Sequence, residues 1–174
     1  NIRAEDGSEE LSGIWVGKFE TSGAIGSPKI LPNVPSSTNM TVKSLYDMNK
    51  GIQSLTYLTE TGLNTSDAHM MKNTDWGAVA YLSHSRFGIN KEITINNNSS
   101  YITGRQGNYT YNDFMITDGY ITDNKMLGTG TKASTTGNVY GIYDMSGCGQ
   151  EYVMGVIKSS DLISSPPYYN SSGF

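Results

Sequence analysis

A single cysteine, Cys148, and two histidines, His69 and His84, are the groups in this 174-residue chain with the most catalytic potential. A lone thiol makes neither an intrachain disulfide nor a cysteine-rich zinc site, so it does not fix a redox compartment. Thiolate chemistry needs electropositive surroundings, whereas the nearest charges in sequence to Cys148 are Asp144 and Glu151, which would raise its pKa and keep it protonated. Cys148 therefore reads as a plain loop residue. The histidines lie fifteen positions apart with no carboxylate cluster at metal-ligand spacing, so both read as ordinary polar packing rather than as a zinc site or a triad. No serine, Ser134 and Ser146 included, stands in a G-x-S-x-G elbow.

The elements that would carry these groups follow from periodicity. Around Cys148, the residues Val139, Tyr140, Ile142, Tyr143 and Met145 predict a strand, positions 146–149 a turn, and Tyr152, Met154 and Val156, alternating with Val153 and Ile157, a second strand. Near the start, Ile14, Val16 and Lys18 alternate with Trp15, Gly17 and Phe19, which predicts another strand over 11–20. Residues 22–37, with Gly23, Gly26, Pro28, Pro32 and Pro35, read as a crossing loop. Leu45, Met48, Ile52 and Leu55 predict a helix over 40–55 with Thr38 as its N-cap. Trp76, Val79, Ala80 and Phe87 predict a second helix, capped by Asn73 or Thr74 and ended by a left-handed Gly88. Residues 89–103 predict a hairpin with a polar tip at 96–100, and 104–135 a functional surface loop. The expected core contains Trp15, Trp76, Val79, Tyr140, Ile142, Tyr143 and Tyr152.

Composition narrows the class. Ser, Thr, Asn and Gly fill 73 of 174 positions and charged residues only 16%, which favours short strands and loops over long helices. With 36% hydrophobic residues, including 12 Tyr and 2 Trp, there is enough to bury, so a loop-rich α+β domain is expected rather than a disordered chain. Residues 1–10 read as a polar arm and 11–174 as one domain. A net charge of −4 without clustered Lys or Arg excludes non-specific nucleic-acid binding, and no apolar run reaches the ~20 residues of a membrane span. Residue 1 is Asn, so a processed or truncated piece is expected, with a signal or anchor upstream as one option. The sequons at Asn39, Asn64, Asn97, Asn98, Asn108 and Asn170 follow from the richness in Asn, Ser and Thr.

The segment Gly141-Ile142-Tyr143-Asp144-Met145-Ser146-Gly147, with Glu151 and Tyr152, is similar to the G-[LIV]-Y-D-M-x-G-N-x-W-E-[WY] signature of the formylglycine-generating enzyme and sulfatase-modifying-factor family. Trp15-Val16-Gly17-Lys18-Phe19-Glu20-Thr21 resembles that family's opening strand, Y-x-I-G-K-[YF]-E-V-T, and Trp76 and Ala80 align with its helical R-L-P-T-E-A-E-W-E-x-A segment. The resemblance implies a C-type-lectin-like α+β fold of two helices, short antiparallel sheets and long loops. It departs at Cys148 and Gln150, which replace the family's Asn and Trp. Active members use two cysteines, some with copper, to make formylglycine; one cysteine cannot form that pair, so a non-catalytic member is implied. Members also bind calcium near this segment through the Asn, backbone carbonyls and the Glu, which makes Glu151 the candidate calcium ligand; otherwise Glu151 orders the turn by accepting backbone N–H bonds.

These readings point to a non-enzymatic, extracellular or surface-exposed module binding a protein or glycan. Its expected face comprises Cys148, Gly149 and Gln150 with Tyr168, Tyr169, Asn170, Ser171 and Ser172. Some domains resembling this one are diversified by retroelements that substitute at adenines and scatter Asn codons into Tyr, Ser, Gly, Cys or Asp, the residue types present here. Adaptable paratopes use Tyr, Ser, Gly and Asn for the same face. The alternative is a self-associating subunit of a pilin-like surface filament or phage tail; a formylglycine-generating oxidase ranks last.

Overall fold

The computed structural model describes residues 13–54, 67–105 and 130–154, and within them the chain is mixed α+β. The polar arm at 1–10, Leu55, most of the 104–135 loop and the tail from 155 onward, including Tyr168, Tyr169 and Asn170, lie outside the described residues. Among the described residues no helix is long and apolar enough to cross a membrane.

Helix α1 runs Val42–Lys50 and tightens into a 3-10 turn, Gly51–Ser54. Its N-cap is Thr41 rather than Thr38: Thr41 is extended (φ −70°, ψ 154°) and its Oγ1 accepts the Ser44 N–H at 3.1 Å. The shift has a local cause, since Asn39 is left-handed (φ 57°) and cannot belong to the helix. Of the expected stripe, Met48 is fully buried. Thr41→Ala is expected to cost about 1 kcal/mol, read as a lower urea midpoint, because the cap satisfies an otherwise orphaned amide.

Helix α2, Asn73–Leu82, follows Lys72 at the N-cap. Asp75 in the first turn is buried and its Oδ2 accepts the Lys72 N–H at 3.3 Å, a favourable place for a carboxylate beside the positive end of the helix. Val79 is buried as expected, but the helix stops at Leu82 and Phe87 is exposed. Gly88 is not a left-handed cap. It is needed for close approach instead, because a Cβ there would lie 1.8 Å from the Leu82 carbonyl oxygen.

The two-stranded antiparallel sheet lies where the sequence reads as a crossing loop. Strands β1 (Ser22–Ala24) and β2 (Ser27–Lys29) pair Ser22 with Lys29, Gly23 with Pro28 and Ala24 with Ser27. These residues have little β-propensity, so the tight turn at Ile25-Gly26 and the Ser22 hydroxyl, donating to the Lys29 carbonyl at 3.1 Å, set the pairing. Ser22 also bridges Ser36, and Pro35 bridges Ile102. The Thr103 N–H donates to the Val34 carbonyl at 2.9 Å and the Ser36 N–H to the Tyr101 carbonyl at 2.8 Å. Residues 101–103 thus pair with 33–36, so the expected 89–103 hairpin does not form. Its supposed polar tip holds buried Asn96 and Asn98.

Phe19 stacks on Tyr143 with ring centroids 5.4 Å apart, and Ala133, Ile30 and Val139 pack against the pair. Of the expected core, Val79 and Tyr143 are buried, and Trp76 and Ile142 are partly buried. Trp15, Tyr140 and Tyr152 are corrected to the surface, at 93%, 76% and 51% exposure. Strand alternation fails for them because none of 13–20, 139–145 and 151–154 forms a strand. Parity along the chain then no longer sorts side chains between faces.

Candidate functional site

The expected strand–turn–strand from 139 to 157 is an irregular loop as far as it is described, to Met154, wrapped around Asn96. Asp144, Gly147 and Cys148 have φ of 64°, 89° and 67°, values that end strand geometry at each. Asn96 donates its N–H to the Ser146 carbonyl at 2.8 Å, its own carbonyl accepts the Cys148 N–H at 2.5 Å, and its Nδ2 donates to Asp144 Oδ1 at 2.9 Å. Backbone passes so closely that a Cβ on Gly147 would lie 2.2 Å from the Asn96 carbonyl oxygen, so this turn requires glycine.

Two carboxyl groups lie beneath the turn. Asp144 is 2% exposed and accepts the Gly104 N–H on both oxygens, at 2.9 and 3.0 Å, together with Asn96 Nδ2 and the Glu20 N–H. Burial pushes its carboxyl up to about 6, against these donors. Glu20 accepts the Gly149 N–H at 3.0 and 3.3 Å. Burial pushes Glu20 up to about 7, the charges of Asp144 and Glu151 add to the rise, and Ser36 and the Gly149 amide oppose it. Nothing in the local pattern of the sequence marked Glu20. The available signal was its place as the acid of the segment resembling the family's opening strand.

Cys148 is corrected from the expected ligand face to the interior. It is 9% exposed, because the left-handed turn folds it inward over Asn96. Burial first, then the carboxylates of Asp144 and Glu20, push its thiol far up, so it stays protonated. A thiol-reactive chromogenic disulfide at pH 8 is expected to leave Cys148 untouched in the native protein and to titrate one thiol in 8 M urea. A fast native reaction would contradict this burial.

In front of the turn opens a cleft of about 910 Å³, bounded in part by Trp15, Lys18, Trp76, Gln150, Glu151 and Tyr152. Gln150 is exposed and remains a candidate contact, and Gly149 is partly buried. Glu151 is exposed as a residue, but its Oε2 accepts the Trp76 indole N–H, and partial desolvation at that contact raises its carboxyl. Glu151 is therefore tied to α2, and the acceptor that orders the turn is Glu20. At the position where the expected calcium site has an Asn oxygen stands the Cys148 thiol, a poor ligand for a hard cation, and among the described residues no three His, Cys, Asp or Glu side chains converge on a metal position. His69 faces Asp67, with Nδ1 3.2 Å from Oδ2, while His84 is exposed, so the two histidines are engaged separately.

Comparison with known protein families, with characterised proteins and with solved structures finds no match to this chain.

Proposed function

We propose that the chain is a non-enzymatic ligand-binding module, built on a C-type-lectin-like scaffold similar to non-catalytic relatives of formylglycine-generating enzymes and displayed outside the cell or at its surface. The observation that carries the binding reading is the cleft itself, where exposed Trp15, Gln150 and Tyr152 stand beside Trp76 and Glu151. A concave surface with aromatic walls and a few polar groups is the usual form of a ligand site. Rigid aromatics supply contact area at low entropic cost, which suits either a glycan or a peptide. A buried, protonated Cys148 supports the non-enzymatic reading, since oxidation of a substrate cysteine needs an accessible thiolate. Within the face first read from the sequence, Gln150 carries the role that Cys148 loses.

Glycan and peptide arrays probed with the purified chain test this. The expected result is a ligand whose binding falls at least about tenfold in Tyr152→Ala and in Trp15→Ala, a loss of roughly 1.4 kcal/mol. Tyr140→Ala, outside the cleft, should bind normally, and all three variants should melt with the wild type. Absence of any array ligand, or equal loss in Tyr140→Ala, would overturn the reading. So would formation of formylglycine from a sulfatase-type cysteine peptide with copper.

A further inference from the structure

The cleft is walled in part by two stretches of chain whose backbone is unused. Among the described residues, no backbone N–H or C=O of residues 14–17 or 150–153 makes a hydrogen bond, although both stretches line the cleft. The second becomes engaged only at Met154, whose N–H donates to the Met71 carbonyl at 2.8 Å and whose carbonyl accepts the Asn73 N–H at 3.2 Å. Donors and acceptors left unpaired along a chain are what an extended peptide adds to, as a further strand does at a sheet edge. Each stretch also carries an exposed ring, Trp15 on the first and Tyr152 on the second.

Charge decides what kind of peptide fits. Of the acids that line the cleft, Asp67 pairs with Lys50 at 2.8 Å and with His69 at 3.2 Å, whereas Glu20, Asp75 and Glu151 form no ion pair among the described residues. Asp75 is buried on the Lys72 N–H at the start of α2, and Glu20 is bound to the Gly149 N–H. Glu151 faces solvent: the Trp76 indole fixes its Oε2, and its Oε1 accepts no hydrogen bond among the described residues. The ammoniums of the cleft do not meet it, since that of Lys18 lies over the Phe19 and Tyr143 rings, 5.8 and 6.0 Å from their centroids, and Lys72 forms no ion pair among the described residues. A fixed carboxylate beside aromatic faces is an arrangement that holds an ammonium or guanidinium, whose charge meets the oxygen while its stem lies on the rings.

We propose that the cleft takes an extended basic peptide, which pairs with the free backbone along the cleft walls and sets a lysine or arginine side chain on Glu151 among the rings of Trp15, Trp76 and Tyr152.

Backbone pairing supplies affinity whatever the peptide sequence, and the carboxylate with its rings supplies the selectivity. A neutral glycan brings no charge to Glu151, and an acidic ligand would add a negative charge to three carboxyls that have no cation of their own. Four residues of extended chain span roughly 13 Å, so a pentapeptide is long enough to follow either wall.

This inference rests on the cleft being the ligand face, and it names the ligand class. Calorimetric titration uses acetylated, amidated pentapeptides that alternate valine with lysine or with arginine, and controls in which norleucine or glutamate replaces the basic residue or in which the valine nitrogens are methylated. The lysine or the arginine peptide should bind, more weakly as sodium chloride is raised, and every control should bind at least about tenfold more weakly. Glu151→Gln keeps an acceptor for the Trp76 indole; it should reduce the basic peptide to the norleucine level and leave the norleucine peptide unchanged. Norleucine peptides that bind as well as both basic ones overturn the proposal, as does binding indifferent to N-methylation, and both comparisons are made on the wild type even if the variant fails to fold. If a glycan binds in a manner that needs Trp15 and Tyr152 while no pentapeptide binds, the peptide inference falls and the binding reading stands. If neither class binds, the binding reading itself falls and takes this inference with it.

Discussion

Stability is expected to fall by about 4 kcal/mol between pH 5 and pH 8, reversing the usual behaviour of paired carboxylates. Glu20 rises from 4.5 to about 7 and Asp144 from 3.8 to about 6, chiefly because burial penalises their charged forms. Each carboxyl binds its proton more tightly in the folded chain than in the unfolded one. Their contribution is therefore complete below the unfolded values and is lost as pH rises through about 6 and then 7. At about 1.36 kcal/mol per unit, the shift of Glu20 from 4.5 to about 7 supplies roughly two thirds of the change over this range and that of Asp144 from 3.8 to about 6 the rest. Urea denaturation at the two pH values measures the difference. Glu20→Gln should remove most of it by raising stability at pH 8. A wild-type midpoint equal or higher at pH 8 would show that these carboxyls are ionised at little cost.

Asp144→Ala is expected to cost about 4 kcal/mol at pH 5, where the wild-type carboxyl is largely neutral. The Gly104 amide loses both acceptor oxygens and the Glu20 amide its acceptor, while Asn96 Nδ2 retains only its bond to the Ile102 carbonyl at 2.9 Å. Each buried donor left unsatisfied costs about 1–3 kcal/mol. Alanine at φ 64° adds about 1 kcal/mol or more, because the left-handed region suits Asp and Asn better than residues without a local polar partner. At pH 8 the loss should shrink, since the variant also removes a charge that the fold accommodates poorly. Denaturation at both pH values checks size and trend together. A loss below about 1 kcal/mol at pH 5 would mean that Asp144 does not join the three segments it touches.

The helices were largely legible in the sequence. Their evidence is local: Met48 and Val79 fall at helical spacing, and the errors at the ends, Thr38 for Thr41 and Gly88 for Ser83, span a few residues. The β structure was not legible. Ser22, Gly23, Ala24, Ser27, Pro28 and Lys29 carry no strand pattern, whereas the β-prone run from Val139 to Met145 carries one and forms no strand. A tight turn and the Ser22 hydroxyl bond to Lys29 decided the first, and left-handed residues in the 144–148 turn decided the second. Gln150 was legible as an exposed residue; inward-facing Cys148 was misplaced for the same backbone reason.

By itself the sequence determined composition, helix positions and a mixed α+β chain, because helix caps and 3.6-residue periodicity act over a few neighbouring residues. Only the tertiary structure decided which acid matters. Glu20 meets Gly149 across 129 positions, Asp144 meets Asn96 across 48 and Gly104 across 40, and their raised proton affinity comes from burial that no local pattern encodes. Desolvation depends on which segments close over a group, so a glutamate at the end of an ordinary strand motif becomes a titrating group only when the 147–150 turn folds down upon it.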